Sequence, residues 1–346
     1  MASMALAEIT EFKGTEAVKL SVGEAFAVIS PSLGANVVRF CDKQRQIEVF
    51  RYSEKVSYGE MDKARELWGV PLLYLANRFA DGVIKTSDAV YQLPINEPAA
   101  HNFIHGFVHK RAYKIRQMGT VPETDTAFCE TEFIYDKSDE FYKYFPVDFE
   151  LILRCELSMY HGLPCLKHMI HLTNLSPKKL PVSLCTHTAI NAPFIKGGKQ
   201  EDVRLLIPIA EKIDMEKTRW LPTEKPKLPL DDYDLQYKNG EMIPVLKDIN
   251  NDMYTLMQDE KDSHGNKISK VIIKDTESGH EIINVLGQAY KFEIVWNNSG
   301  DKNYFCPEPM TAQINAPNMN IPRTESGYEE ISAGESFTAV QKFLIK

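Results

Sequence analysis

Two neighbouring stretches in which apolar and polar residues alternate constrain the fold more than any other feature of the chain. Within residues 148–157 every second side chain is apolar, and the same phase appears within residues 165–172. A period of two residues is typical of a β-strand with one buried face. The intervening residues 160–164 contain glycine and proline, which favour a turn. We therefore predict a β-hairpin.

The same alternation recurs along the rest of the chain. Helical periodicity is weak and is best at residues 55–68, and no repeat of fixed length is present. Many short strands with few helices predict an all-β chain folded as one large antiparallel sandwich. The further strands are predicted at residues 25–29, 37–40, 180–184, 203–207, 270–274, 281–285, 290–296 and 337–345.

No linker rich in glycine, serine or proline divides the chain. The most polar stretch, residues 211–251, is rich in Lys, Asp and Pro and is predicted to be a long surface excursion. A length of 346 residues would suffice for two domains, but large all-β folds often exceed the usual domain size. We predict a single domain over residues 1–346.

Charge and cysteine usage limit the environment and the partners. A net charge of −8 and a pI near 5.7 argue against nucleic acid or an anionic membrane as partner. The first ten residues lack the features of a signal peptide, and no apolar run is long enough to span a membrane. The six cysteines are scattered and lack CxxC spacing, which favours reduced thiols in a cytoplasmic protein over disulfides.

Three short segments far apart in the chain contain the candidate functional residues. They are residues 102–107, with His105, residues 184–191, with His187, and residues 305–311, with Glu308. A carboxylate with a pKa near 4.3 and an imidazole with a pKa near 6.5 can coexist at neutral pH as base and acid. We predict that folding brings these groups together at one pocket where they transfer protons.

Together with further segments, these motifs resemble the aldose 1-epimerase family, also called the galactose mutarotase family. Each match is short and common by chance, but several in the same order over nearly the whole chain are more specific. The segments that carry the resemblance are residues 29–35, residues 71–79 with Asn77 and Arg78, residues 93–96, His105-Gly106-Phe107, His187 with Asn191, Glu308-Pro309, and residues 331–335.

The resemblance implies a large antiparallel β-supersandwich of the galactose mutarotase type that interconverts the α and β anomers of a hexose or related pyranose. By this resemblance Glu308 is the base and His187 the acid, His105 stabilises charge near the ring oxygen, and Arg78 orients hydroxyl groups. No metal or organic cofactor is implied, and the partner is a small sugar. Further substrate-binding residues implied are Asn77, Asn191 and Asp252.

Two departures leave the preferred sugar open. The family usually has His-Pro-Tyr-Phe at its second histidine, where this chain has His187-Thr188-Ala189-Ile190. The family's later aspartate, which binds a sugar hydroxyl, matches Asp252 with a register uncertain by one residue. Trp296 is a candidate stacking surface for the sugar or a core residue, as are the aromatic residues Phe79, Tyr304 and Phe305.

Several alternatives remain for function. The chain could be a hexose-6-phosphate 1-epimerase, with Lys110 and Arg111 near the phosphate, or a carbohydrate-binding homologue without turnover. A glycosidase is disfavoured because the motifs contain no second acid. The oligomeric state is a monomer or a homodimer.

The candidate residues also have structural interpretations. His187 could be a buried structural histidine, Glu308 a rigid loop acid, and Arg78 the partner of a carboxylate in the sheet. A three-histidine metal site is disfavoured, because a spacing of four residues in a strand separates consecutive histidines by about 13 Å. The histidines concerned are His101, His105 and His109.

Overall fold

The computed structural model describes residues 4–300 and 302–346 and is built mainly from antiparallel strands. In chain order these residues form β1 Leu6–Phe12, β2 Thr15–Val22, β3 Ala25–Ser30, β4 Asn36–Asp42, β5 Ile47–Glu48, α1 Tyr58–Lys63, β6 Leu72–Tyr74, β7 Arg78–Ala80, β8 Val83–Lys85, β9 Val90–Gln92, β10 Asn102–Ile104, β11 Lys114–Val121, β12 Thr126–Tyr135, β13 Phe149–Tyr160, β14 Leu163–Asn174 and β15 Leu180–Val182. They continue with β16 Leu184–Thr186, β17 Ile190–Asn191, β18 Val203–Leu206, β19 Ile209–Lys212, β20 Met215–Glu216, β21 Leu221–Pro222, α2 Asp232–Asn239, β22 Asp252–Leu256, β23 Glu260–Lys261, β24 Lys267–Asp275, β25 Glu281–Gly287, β26 Phe292–Trp296, β27 Tyr304–Met310, α3 Arg323–Ser326, β28 Glu329–Ile331 and β29 Ser336–Ile345.

The hairpin predicted from the alternation is confirmed. Strands β13 and β14 pair without interruption from Phe149 opposite Asn174 to Tyr160 opposite Leu163. The apolar residues of the alternating pattern are buried, and the polar residues between them are half-buried on the other face. A one-residue slip would expose the whole apolar set, so the pattern itself determines the register.

This hairpin is the centre of the larger sheet, which we call the long-strand sheet. Its strand order is β11-β12-β13-β14-β29-β25-β24-β18, and β23 pairs with β24. A second sheet, the short-strand sheet, has the order β19-β22-β26-β27-β16-β6, and β17 pairs with β27. Strands β1 to β5 form a separate N-terminal sheet in sequential order.

The long-strand and short-strand sheets pack face to face. The ring of Tyr74 in the short-strand sheet meets that of Phe149 in the long-strand sheet at 5.2 Å between centroids. Phe50 follows β5 of the N-terminal sheet, and its ring lies 5.1 Å from that of Phe343 in β29. One continuous apolar cluster contains residues of all three sheets. The predicted all-β antiparallel sandwich is therefore confirmed.

Two local predictions need correction or refinement. Only part of residues 55–68 is α-helical: α1 begins at a capping box of Ser57 and Glu60, and a 3₁₀ turn follows at Arg65–Leu67. Residues 211–251 are more than a surface excursion. They contain α2, whose Tyr237 is fully buried in the main apolar cluster. Burial of this aromatic side chain outweighs the polar composition that suggested a loop.

Smaller expectations about side chains can also be checked. All six cysteines are buried and unpaired, as predicted. His168 points into the core, whereas His171 lies on the other face of β14 and its ring nitrogen is 2.8 Å from Thr338 Oγ1. Among the described residues, no helix has both the length and the apolar character needed to cross a membrane.

Candidate active site

A cavity of about 290 Å³ lies on the face of the short-strand sheet that points away from the long-strand sheet. It is lined by side chains from all three segments that contain the candidate functional residues. The lining residues are Glu66, Leu67, Asn77, Arg78, His105, His187, Trp220, Asn250, Asn251, Trp296 and Glu308.

Glu308 lies in the middle of β27, between two prolines. On one side β27 pairs with β26, where Glu308 is opposite Ile294. On the other side β27 pairs through Met310 with β16 and through Phe305 with β17, but not in between. Because proline has no N–H to donate, the two prolines limit the ladder that β27 can form around Glu308.

His187 occupies that interruption. The chain leaves β16 after Thr186, and the backbone N–H of His187 donates to Pro71 O at 3.1 Å rather than to β27. Its imidazole Nε2 lies 3.1 Å from Glu308 Oε1. The side chains of His187 and Glu308 are only 5 % and 3 % exposed. The structure thus brings the two predicted proton-transfer groups into direct contact inside the cavity.

Burial determines the protonation of this pair. Burial raises the pKa of Glu308 to about 8, and the positive charge of Arg78 opposes the shift. Burial also lowers the pKa of His187 to about 4. Removing either charge from water is costly, so at neutral pH the favoured form is a neutral carboxylic acid bonded to a neutral imidazole. The pair then holds one exchangeable proton.

His105 approaches the same pair from a left-handed turn after β10. Its φ is 67° and that of Gly106 is 63°. A Cβ on Gly106 would lie 2.1 Å from Tyr74 O, so only glycine fits there. The His105 ring lies 5.5 Å from that of His187 in an edge-on arrangement, and burial lowers its pKa well below the ordinary value. His105 is therefore a neutral imidazole.

Arg78 is held in place by other polar groups. Its guanidinium binds both carboxyl oxygens of Glu97, with Nη2 to Oε1 at 2.9 Å. Its Nη1 donates to Asn77 Oδ1 at 3.2 Å and to Asn251 Oδ1 at 3.0 Å. The pairing with a carboxylate that was an alternative for Arg78 is thus present, and it orients the guanidinium at the wall of the cavity.

Two predicted substrate-binding residues lie elsewhere. The Asn191 amide donates to Glu48 O at 3.0 Å and Phe50 O at 2.7 Å, so it joins strands rather than lining the cavity. Asp252 accepts a hydrogen bond from Tyr233 Oη at 2.8 Å. Its neighbour Asn251 reaches the cavity instead. The one-residue register left open in the sequence thus matters: Asn251 lies just before β22 with a left-handed φ of 58°, and Asp252 is the first residue of the strand.

Several lining residues were not identified from the sequence. Trp220 and Asn251 have left-handed φ values of 56° and 58°, and Glu66 lies in the 3₁₀ turn after α1. The Asn-Asn pair at 250–251 is a turn signal that could have been noticed. Trp296 lines the cavity, with its ring 5.9 Å from that of His187. The other suggested stacking residues are fully buried: Phe79, Tyr304 and Phe305.

Other features fit a catalytic centre less well. A larger cavity of about 360 Å³ opens on the outer face of the long-strand sheet, lined by residues such as His264 and Lys267. It contains no buried acid–base pair. Lys110 and Arg111 do not line the candidate site, and Arg111 binds Asp139 at 2.6 Å. Within residues 4–300 and 302–346 no group of three or more His, Cys, Asp or Glu side chains is arranged to hold a metal ion.

Comparison with known proteins agrees with this geometry. The family model described as aldose 1-epimerase matches residues 16–344. The chain belongs to the aldose 1-epimerase family.

Solved structures show the same fold. A galactose mutarotase-like protein from Clostridium acetobutylicum is 28 % identical, with a TM-score of 0.90 and 99 % of each chain covered. A GalM/aldose epimerase homologue from C. elegans is 14 % identical, with a TM-score of 0.64 over 93 % of this chain and 95 % of that one. A galactose mutarotase-like protein from Lactobacillus casei is 15 % identical, with a TM-score of 0.61 over 95 % and 100 %. These matches make the predicted β-supersandwich of the galactose mutarotase type the fold of this family member.

Proposed function

We propose that this family member is an aldose 1-epimerase that interconverts the α and β anomers of a hexose or related pyranose. The observation that carries the proposal is the contact of 3.1 Å between His187 Nε2 and Glu308 Oε1. The pair is buried at the bottom of a cavity of about 290 Å³ with two further imidazole or guanidinium groups in its wall. Anomer exchange requires an acid and a base within hydrogen-bond reach of the C1 hydroxyl and the ring oxygen of one sugar.

The reaction opens and closes the sugar ring. Glu308 removes the proton from the hydroxyl on C1 as a C1=O bond forms, and the bond between C1 and the ring oxygen breaks. His187 gives a proton to that ring oxygen. After rotation about C1–C2 the ring oxygen attacks the other face of the carbonyl. His187 takes the proton back from that oxygen, and Glu308 gives its proton to the oxygen on C1. Protons and electrons balance, and positioned proton transfers of this kind contribute about 10²–10⁴-fold.

The resting pair must first redistribute its proton. Burial favours the neutral acid and neutral imidazole, whereas ring opening needs a carboxylate and an imidazolium. Transfer across the existing contact between Glu308 and His187 produces that form without exchange with water. The positive charge of Arg78 lowers the pKa of Glu308 and so favours the reactive form. Because either group can hold the proton, the pair can act in the conversion of α to β and of β to α.

His105 and Arg78 have supporting roles in this proposal. A neutral His105 beside His187 can donate a hydrogen bond to the ring oxygen without adding a second positive charge. Arg78, oriented by Glu97, Asn77 and Asn251, can bind a sugar hydroxyl through the one N–H of Nη2 that these contacts leave over. Trp296 offers an apolar surface for one face of the ring.

The alternatives receive less support. A phosphate group would need a free cation, and Arg78 already binds Glu97. A binding protein without turnover would not need the buried pair of His187 and Glu308. We further propose a cytoplasmic monomer or homodimer with no cofactor, and the six unpaired cysteines support a reducing compartment.

The test is polarimetry of single anomers of glucose, galactose and other aldoses, with and without the protein, together with glucose 6-phosphate. We expect faster decay of the optical rotation with at least one free aldose. Acceleration of the phosphorylated sugar alone would favour the hexose-6-phosphate alternative. No acceleration with any aldose would contradict the proposal.

A further inference from the structure

The candidate active site contains one carboxylate that the proposed mechanism does not use. Glu66 lines the cavity together with His187, Glu308 and Trp296. It is half-buried, and none of the residues that the structure describes forms an ion pair or a hydrogen bond with its carboxylate. A charged group without a protein partner in the wall of a cavity can bind a ligand there.

The position of Glu66 is fixed by the 3₁₀ turn Arg65–Leu67, which is anchored at both ends. At its start Arg65 Nη1 donates to His109 O at 3.0 Å. At its end Leu67 O accepts from Arg51 Nη1 at 3.0 Å. The Arg51 guanidinium also lies over the ring of Tyr304 in β27, 3.9 Å from its centroid. The turn is thus attached to the strand that contains the catalytic carboxyl group.

Electrostatic effects on β27 show where the charge of Glu66 acts. Burial and the charge of Glu308 raise the pKa of the Cys306 thiol, Arg51 opposes this rise, and Glu66 adds to it. Cys306 pairs with Trp296 and lies two residues from Glu308, on the same face of β27. The negative charge of Glu66 therefore acts on the wall of the cavity that β26 and β27 form.

The charges that line the cavity do not cancel. Of the described lining residues, Glu66, Arg78 and Glu308 are the acidic and basic side chains besides the two histidines. Arg78 is neutralised by Glu97 at 2.9 Å. Burial raises the pKa of Glu308 to about 8, so this group is mostly protonated at neutral pH. The carboxylate of Glu66 is then the uncompensated charge, and a charge acts more strongly in a partly buried site than in water.

We propose that Glu66 is a specificity-determining residue that selects the sugar by its charge, by binding an ammonium or hydroxyl group of the ring and disfavouring an anionic substituent. This inference rests on the proposed function. Amino aldoses are then the preferred substrate class, neutral aldoses follow, and uronates and sugar phosphates are poor substrates. A carboxylate has about four acceptor positions, and its hydrogen bond to an ammonium is stronger than one to a hydroxyl.

A purely structural role for Glu66 has less support. A glutamate that stabilises a turn binds a nearby backbone N–H or a cation. Glu60 does so in the capping box of α1, where it accepts from Ser57 N at 2.8 Å. Within residues 4–300 and 302–346 the carboxylate of Glu66 makes no such contact, and the turn is held by Arg65 and Arg51 instead.

The experiment measures kcat/KM for the neutral aldose that the wild type converts best, for its 2-amino and 6-amino derivatives, and for its uronate and 6-phosphate. Glu66→Gln keeps the length of the side chain and removes its charge. We expect the ratio of kcat/KM for at least one amino sugar to that for the neutral aldose to fall by at least about tenfold, mainly through KM. The ratio for the 6-phosphate to the neutral aldose should rise by a similar factor.

The matched control is Glu123→Gln. Glu123 is an exposed glutamate in another 3₁₀ turn, Pro122–Thr124, and it does not line the cavity. This variant removes the same charge from the chain and should leave all the ratios unchanged. A second measurement needs no variant. Salt screens the charge of Glu66, so the ratio of amino sugar to uronate in the wild type should fall as the ionic strength rises.

The outcomes separate this inference from the proposed function. Unchanged ratios in Glu66→Gln, or equal changes in Glu66→Gln and Glu123→Gln, would overturn the inference and leave the proposed function standing. Faster conversion of the uronate or the 6-phosphate than of the neutral aldose by the wild type would also overturn it. If Glu66→Gln does not fold, a ratio in the wild type that is independent of ionic strength overturns it. If no aldose is accelerated, whether charged or neutral, both proposals fall.

Discussion

The long-strand and short-strand sheets differ in the length of their strands and in how regularly those strands pair. Strands β13 and β14 of the long-strand sheet run for 12 residues each and pair without interruption. In the short-strand sheet β6 and β16 have three residues each, and the ladder of β27 is interrupted where His187 meets Glu308. Regular pairing stabilises the sandwich, whereas interrupted pairing lets polar side chains converge on one point. The two sheets should therefore respond differently to substitution.

The largest expected effect is on the chemistry of the short-strand sheet. Glu308→Gln keeps the shape of the side chain but removes the base, so kcat/KM for mutarotation should fall by about 10²–10⁴-fold. Thermal unfolding should show no loss of stability, because a buried ionisable group is replaced by a neutral one. Polarimetry and circular dichroism measure the two quantities. A wild-type rate would contradict the role of Glu308 as the base. An inactive variant that is also unfolded would contradict the expected separation of activity from stability.

The long-strand sheet should show the opposite pattern. Leu153 is 2 % exposed in β13, and Leu153→Ala removes buried methyl groups. We expect the free energy of unfolding to fall by about 2–5 kcal/mol, since a cavity remains. The mutarotation rate per folded molecule should stay near that of the wild type. Chemical denaturation and polarimetry at a temperature where the variant is folded test this, and a large loss of rate would show that the sheets are coupled.

A substitution of the glycine that follows His105 should lower both the stability and the mutarotation rate. In Gly106→Ala the new Cβ would lie 2.1 Å from Tyr74 O in a left-handed conformation. We expect a loss of stability of about 1–3 kcal/mol from strain, together with a lower rate because His105 is displaced. Denaturation curves and polarimetry on the same preparation provide the measurement. A variant with normal rate and stability would show that the turn need not be as tight as the structure indicates.

The smallest effect expected is a pH dependence of stability. Glu308 has a raised pKa of about 8 in the fold, so the folded state holds a proton that the unfolded state loses from about pH 4.5 upward. The contribution of Glu308 to the free energy of unfolding therefore falls as the pH rises toward 8. The pKa of His187 is lowered to about 4, so its contribution to the free energy of unfolding rises with pH up to about its ordinary pKa of 6.5.

Between pH 6.5 and 8 the contribution of Glu308 changes much more than that of His187, because the unfolded-state imidazole is already half deprotonated at pH 6.5. Between these pH values the wild type should lose about 1–2 kcal/mol more stability than Glu308→Gln. Urea denaturation at both pH values for both proteins gives the difference. If both proteins lose the same free energy of unfolding between these pH values, Glu308 is not protonated in the folded state.

The sequence predicted the long-strand sheet well because its signal is local. The alternation of residues 148–172 determines both the faces and the register of β13 and β14. The family motifs also led to His187, Glu308, His105 and Arg78, which the fold brings to one cavity. Their roles as acid, base and substrate-binding groups stay predictions.

What the sequence did not predict depends on backbone conformation and distant contacts. Trp220 reaches the cavity through a left-handed φ and through the anchoring of Arg219 on a loop over 100 residues away in the chain. Asn251, which has a left-handed φ of 58° just before β22, accepts from Arg78 where the sequence had suggested Asp252. The buried Tyr237 shows likewise that tertiary packing, rather than local polarity, determined the structure of residues 211–251.

The most direct test of the central claim is a double-mutant cycle on the pair that the fold places 3.1 Å apart. The measured quantity is kcat/KM for mutarotation of the best aldose in the wild type, His187→Asn, Glu308→Gln and the double variant. If the two groups share one proton and act as a unit, each single variant loses most of the rate and the double variant is about as slow as the slower single one. Independent losses that multiply, or a wild-type rate in either single variant, would contradict the account.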